Sequence, residues 1–245
     1  MMSPSGEHTA AVLTLVADEP VEPEDLPALG GRLQRLCRAA RRDLPASGVG
    51  VSMVSESGNL ITAATSSRTS TLLEELQFAM GEGPCLEAFA SRSAVLVPNL
   101  SEAATRTWLG YGPAAHEYGV RAVFAFPLQI GVARFGAMDV YRDEAGALSA
   151  WAYSRALTYA DVAIQTMLNA QNDAGGTATL LTDGDDTRFE VYQAQGMVMV
   201  QLGVRAAEAL SRLRAYAYAN NRRLREVADD IISRRVELEP DDPGQ

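Results

Sequence analysis

Cys37, Cys85, His8 and His116 are all that the chain offers for thiol chemistry or imidazole acid–base work. Two cysteines and two histidines are too few for a structural zinc cluster or a disulfide framework. All 21 basic residues are arginine. Without lysine, P-loop and Schiff-base chemistry are excluded. Serine and aspartate abound, but no histidine or lysine stands beside them in a nucleophile-and-base pattern, so the chain reads as a non-enzyme. Cys85 closes the segment Gly81-Glu82-Gly83-Pro84-Cys85. Glu82 and Glu87 as neighbours would raise a thiol pKa rather than lower it, so packing is expected there instead of redox sensing.

Arginine is the residue left for chemistry, and what it does best is grip phosphate. A net charge of −10 over 245 residues argues against a nucleic-acid partner if the charge is uniform. It is not uniform. Residues 187–236 hold nine arginines (188, 205, 212, 214, 222, 223, 225, 234, 235) against five acids, a balance of +4, and the remainder carries −14. A basic C-terminal module on an acidic body is the asymmetry expected when one domain meets a polyanion and the other does not. The plainer reading is a solvated helix face, and the Arg-Arg pairs 222–223 and 234–235 are equally compatible with helix ends.

The elements that must position these residues can be read from periodicity. Residues 1–23 carry acids and three prolines but no arginine, and read as a flexible or loosely docked arm. From 24 to 44, Leu26, Leu29, Leu33, Leu36, Cys37, Ala40 and Leu44 fall at helical spacing. Val49, Val51 and Met53 alternate with small or polar residues, and Leu60–Ala64 follows as the second arm of a hairpin. A helix over Thr69–Ala79 leads into the Gly-Glu-Gly-Pro turn, where glycine permits unusual backbone angles and proline can start a helix. Ala94–Val97 reads as a strand, about 103–118 as a broken helix, Val120–Ile130 and Val132–Tyr141 as long strands, and Ser149–Gln171 as a closing helix. Residues 24–171 thus predict an α+β domain with a mainly antiparallel sheet and flanking helices.

Residues 172–186, NDAGGTATLLTDGDD, have linker composition. Beyond them, 187–236 predict a small all-α module of three helices, about 187–201, 206–219 and 222–236, with turns at Gly203 and Asn220-Asn221. An acidic tail, 237–245, ends the chain. Ala194, Met197, Val198, Leu202, Ala209, Leu210, Leu213, Ala217, Leu224, Val227, Ala228 and Ile231 can close its core.

The C-terminal module carries Ala194-Gln-Gly196 in its first helix, Glu208-Ala…Leu213-Arg214 in its second and Arg223-Leu…Val227-Ala228 in its third. It resembles the ANTAR domain, an RNA-binding family. The preceding domain, with Leu73-Glu-Glu-Leu-Gln77, Gly81-Glu-Gly-Pro-Cys85 and Gly119-Val-Arg-Ala-Val-Phe-Ala-Phe-Pro-Leu128, is similar to GAF sensory domains of the actinobacterial type. Together they imply a transcription antitermination regulator that binds paired hairpin loops in a nascent leader RNA under control of a sensor. Such loops expose unstacked bases and a dense phosphate turn. The RNA-binding residues implied are Gln195, Gly196, Arg212, Arg214, Arg222, Arg223 and Arg225. Gln195 stands where the family often has a basic residue; its amide can contact a base but cannot neutralise phosphate. Arg205 stands where a capping oxygen would suit the second helix, at a cost of about 0.5–2 kcal/mol. Tyr216 and Tyr218 are candidates for base stacking, with packing the competing reading.

For the sensor domain, Trp108, Phe124 and Met138 are candidate lining for a small apolar ligand, against simple core packing. No cofactor is expected: His116 is that domain's one histidine, without an evident second haem ligand or a bilin-attachment cysteine. The family's cyclic-nucleotide motif needs lysine, and its methionine-sulfoxide chemistry needs grouped cysteines. A homodimer is expected through the helices at 24–44 and 149–171, with Leu157, Ile164 and Leu168 as a short seam that Asp161 interrupts. Neither a signal peptide nor a run of ~20 apolar residues is present, so a cytoplasmic protein with no membrane partner is expected. The alternative is a ligand sensor whose C-terminal helices contact a protein instead of RNA. DNA binding by a helix-turn-helix is a third reading.

Overall fold

Alternation along Gly48–Val54 (β1) sets the sheet: Val49 and Val51 are fully buried on one side, while Gly50 and Ser52 turn to the other. In the computed structural model, which describes residues 4–23, 25–26, 28–54, 60–103, 107–174 and 186–239, β1 joins four further strands. These are Leu60–Thr65 (β2), Val95–Val97 (β3), Ala122–Ile130 (β4) and Ala133–Arg142 (β5), in the order β2-β1-β5-β4-β3. Every pairing is antiparallel.

Helices cover both faces. Ala28–Asp43 (α2) and Ala150–Ala174 (α7) lay Leu33, Leu36, Ala40, Tyr159 and Met167 on Val49, Val51, Phe124, Phe126, Met138 and Val140. Each such large apolar side chain taken from water contributes about 1.5–3 kcal/mol. The opposite face carries Arg68–Met80 (α3), Pro84–Ser91 (α4), Leu100–Ala103 (α5) and Tyr111–Glu117 (α6), with Leu73, Trp108, Tyr111 and Ala115 against Val123 and Tyr141.

The first residues depart from the expected flexible arm. Pro4–Ala17 forms a helix (α1) packed on α2 and α7, and Val12 is fully buried with Leu15 and Val16 beside it. Those three positions have helical spacing, which the flanking acids and prolines obscured. Past the helix, buried Glu19 pairs with Arg42 and lies 3.7 Å from Arg38, while Asp25 accepts from Arg38 at 2.6 Å.

The second compact unit is separate. It contains Asp186–Leu202 (α8), Ala206–Ala219 (α9) and Leu224–Ile232 (α10). Its buried apolar residues are the expected ones, with Val191 and Leu238 added and Met197 and Leu202 only half-buried. Gly203 (φ 67°) and Asn221 (φ 51°) take left-handed backbone at the two expected turns. Leu238 is buried and its carbonyl accepts from Gln201 Nε2 at 2.9 Å, so the tail expected from 237 is docked at least that far. Of the segment read as linker, 172–174 continue α7, Asp186 begins α8, and the rest lies outside the described residues.

Candidate nucleic-acid interface and a buried polar cluster

The three-helix unit buries one face of each helix, which leaves Arg212, Arg222, Arg223 and Arg225 at the rim. Arg212 pairs with Glu208 four residues earlier at 3.4 Å, Arg222 with Asp230 at 2.7 Å, and Arg225 of α10 with Glu190 of α8 at 3.3 Å. Surface pairs of this kind are worth about 0–1 kcal/mol, so a phosphate can displace the carboxylate at little cost. Arg223 is exposed and makes no ion pair among the described residues; its backbone N–H donates to Glu226 Oε2 at 3.3 Å. Arg205 caps α9 without a side-chain hydrogen bond, as its side-chain chemistry dictates.

Two of the residues expected to contact RNA are drawn partly or wholly inward. Gln195 is buried, and its Nε2 donates to the Ala206 carbonyl at 2.6 Å, bracing α8 against the start of α9. Its amide is therefore engaged at the α8–α9 junction. Arg214 is only half-exposed. Burial pushes its guanidinium down to about 10, Tyr192 draws it back up, and Arg188 adds to the fall; it stays charged at neutral pH. Gly196 is exposed in the middle of α8 with open space where a Cβ would stand. Tyr218 is exposed and Tyr216 half-buried.

Beside Arg214 stand two residues that were not among those expected at the interface, Arg188 and Tyr192. Arg188 is buried, hydrogen-bonds Tyr192 one turn later on α8, and acts electrostatically on Arg214 of α9. Two neighbouring guanidiniums beside a phenol suit a phosphate better than one alone. The Arg188/Tyr192 spacing of four was the available signal.

In the first unit, the three candidate ligand-lining residues do not meet. Phe124 and Met138 point into the core beneath α2 and α7, whereas Trp108 packs on the opposite face, with its indole N–H donating to Glu87 at 3.1 Å. All three are core residues on two sides of one sheet. Nor does the dimer seam stand as drawn: Ile164 is buried in its own domain's core and Leu168 packs against that core, which leaves Leu157 exposed.

The face with Trp108 holds a constellation that sequence reading did not assemble. Glu74 and Gln77 lie one turn apart on α3 and both are fully buried. Opposite them, Ser52 of β1 and Asp139 and Tyr141 of β5 alternate out of the apolar core beneath α2 and α7. Ser52 Oγ donates to Glu74 Oε2 at 2.7 Å, and Gln77 Nε2 to Asp139 Oδ2 at 2.6 Å. The Tyr141 hydroxyl stands 2.8 Å from Glu74 Oε1 and 3.1 Å from Asp139 Oδ2.

The Gly-Glu-Gly-Pro turn completes the cluster. Gly81 (φ 69°) ends α3, Gly83 (φ 139°) precedes Pro84 at the start of α4, and the Cys85 N–H donates to Gln77 Oε1 at 2.8 Å. Glu82 accepts from the backbone of Gly110 at 2.6 Å and of Tyr111 at 2.8 Å. Burial, then the neighbouring Glu74 charge, push the Asp139 carboxyl well above its ordinary range. Burial, then Asp139 and Glu74, push the Cys85 thiol up, so the expected direction holds with different carboxylates responsible.

An antiparallel five-stranded sheet thus lies between a helix pair and a cap of shorter helices, and a three-helix unit rich in arginine follows it in the chain. The GAF domain pattern matches residues 29–159, more than half of the chain, and the ANTAR domain pattern matches 181–232. The chain belongs to the GAF family and carries an ANTAR domain after the GAF domain. Among solved structures it is similar to the GAF domain of an Acinetobacter phosphoenolpyruvate-protein phosphotransferase, at 11% identity and a TM-score of 0.52, over 71% of this chain and 99% of that one. It is also similar to the corresponding GAF domain from Coxiella burnetii, at 13% identity and a TM-score of 0.50, over 71% and 99%. At those identities the likeness concerns the fold. No match was found among curated proteins. Among the described residues no helix is long and apolar enough to cross a membrane.

Proposed function

We propose that the ANTAR unit binds paired hairpin loops of nascent RNA and thereby prevents terminator formation, under control of a signal received by the GAF domain. The observation that carries this reading is that the ANTAR match falls on a closed three-helix unit whose rim bears Arg212, Arg222, Arg223 and Arg225 and whose α8–α9 contact holds Arg188 and Arg214. Arginine supplies phosphate contacts, and exposed Tyr218 offers a stacking plane for an unpaired base. A homodimer would bring two such units to two loops at once. On this reading the protein works in the cytoplasm, without catalysis and without a membrane, and the GAF domain answers to a small molecule. The test is binding of a two-hairpin leader RNA against excess duplex DNA as competitor: retention of RNA supports the reading, and displacement by duplex assigns the helices to DNA.

A second reading is favoured by one face of α8. Phe189 and Val200 are exposed there, in helical register with Gln193 and Gly196. Uncovered apolar side chains on one stripe suit a protein partner. Binding to that partner would be far less sensitive to salt than binding to RNA.

A further inference from the structure

We infer that Glu74, Cys85 and Asp139 form a binding site for one divalent cation of borderline softness, Zn2+ being the type, inside the GAF domain. The inference stands on the first unit alone and is independent of RNA binding. One potential ligand atom from each side chain lies within 4.8 Å of the other two, and all three side chains are buried. They come from three elements, α3, α4 and β5, so the fold has brought them together across the sequence.

Burial makes this costly without a cation. Two carboxyl groups removed from water must be neutralised by a proton, a partner or a metal. The charge acting on Asp139 is that of Glu74, of the same sign, and no arginine is among the groups that act on Asp139 or on Cys85. The remaining polar groups are arranged as an outer shell: Ser52 holds Glu74, Gln77 holds Asp139, and Tyr141 bridges the two. Metal-bound carboxylates are held by such donors.

Two buried polar atoms are then left over, and both belong to this place. Asp139 Oδ1 has no hydrogen-bond partner. Tyr111, fully buried and close enough to feel Asp139, Glu74 and Cys85, stands beside Tyr141, yet its hydroxyl forms no hydrogen bond of normal geometry. Asp139 Oδ1 is thus left to take a cation held by the triad, with the Tyr111 hydroxyl in the same buried surroundings. Thiolate with two carboxylates favours Zn2+ over Mg2+ or Ca2+, which take oxygen ligands alone. On binding, the Cys85 S–H bond breaks, the sulfur keeps the electron pair for the metal, and the proton leaves to solvent.

Room for the triad is built into the backbone. A Cβ on Gly50 would lie 2.1 Å from Glu74 Oε1, and one on Gly83 would lie 2.5 Å from Gln77 Oε1. Because the site is enclosed, the metal must enter during folding. The experiment is therefore to produce the full-length chain in medium supplied with Zn2+ or with Co2+, purify it without metal-affinity resin, and measure metal per chain by mass spectrometry.

The expected result is a single equivalent of either metal and, for Co2+, a thiolate-to-cobalt charge-transfer band. Both are lost in Cys85→Ser and in Asp139→Asn and kept in Cys37→Ser, the only other thiol. Circular dichroism establishes which variants fold. Should the Cys85 and Asp139 variants misfold, the cobalt band in the wild type together with its persistence in Cys37→Ser assigns the thiolate to Cys85. Folded wild type without metal overturns the inference and leaves the carboxyl pair to share a proton. Metal retained in folded Cys85→Ser or Asp139→Asn overturns it as well.

Discussion

Gln195 Nε2 donates a 2.6 Å hydrogen bond to the main-chain carbonyl of Ala206. This joins the middle of α8 to the first residue of α9, the helix whose N-cap, Arg205, has no side-chain hydrogen bond to offer. Gln195 is therefore a brace between two helices. Gln195→Ala is expected to destabilise the C-terminal unit by about 1–2 kcal/mol, since a buried hydrogen bond is removed. Chemical denaturation of the two proteins checks it, and an unchanged midpoint would mean that the brace adds nothing to stability.

Gly196, the next residue, gives a prediction of opposite sign. A glycine inside a helix costs roughly 0.5–1 kcal/mol relative to alanine, and here a Cβ would meet nothing within 4 Å. Gly196→Ala should therefore raise stability by about that amount. If RNA approaches α8 closely at this point, the same variant binds the leader RNA more weakly. Higher stability with unchanged RNA affinity would remove Gly196 from the interface.

Asp25 and Arg38 set an acid limit on the first unit. The Arg38 guanidinium, 2.6 Å away, holds the Asp25 carboxyl below its ordinary value. A carboxyl whose pKa is lower in the folded state contributes stability in full above the unfolded value of about 4 and loses it as pH falls through the folded value. Asp25→Asn should consequently melt earlier than wild type at pH 7, with the gap closing below about pH 4. Melting curves across pH provide the check; a gap that persists at the acid end would assign the loss to packing.

The parts of the fold that were legible in the sequence had strong periodicity. The alternation of β1, the two long strands either side of Gly131 and the three C-terminal helices follow from residue pattern, and Gly81, Gly83 and Pro84 turn the chain as their backbone preferences require. Helix α1 was obscured because Val12, Leu15 and Val16 supply only a short apolar stripe among acids and prolines. The site was less legible, for a physical reason. Whether Arg222 is tethered to Asp230, or Gln195 to Ala206, depends on where helices cross, which residue type does not encode. The Glu74, Cys85 and Asp139 cluster left two faint marks: Asp139 interrupts an apolar strand between Met138 and Val140, and Glu74 and Gln77 lie one turn apart on the helix face that carries Leu73. Neither mark names its partner across the sheet.

The central claim is that the arginine-bearing unit engages RNA phosphate. The most direct measurement is binding of a labelled two-hairpin leader RNA to full-length wild type and to an Arg214→Ala/Arg223→Ala variant over a salt series. Affinity should fall steeply with salt for the wild type. The double variant should bind about tenfold or more weakly, with a salt slope shallower by roughly 1–2, as expected when one or two phosphates are no longer neutralised. No binding by the wild type at low salt, or binding that neither salt nor the two substitutions alter, would contradict the account and move the C-terminal helices to a protein partner.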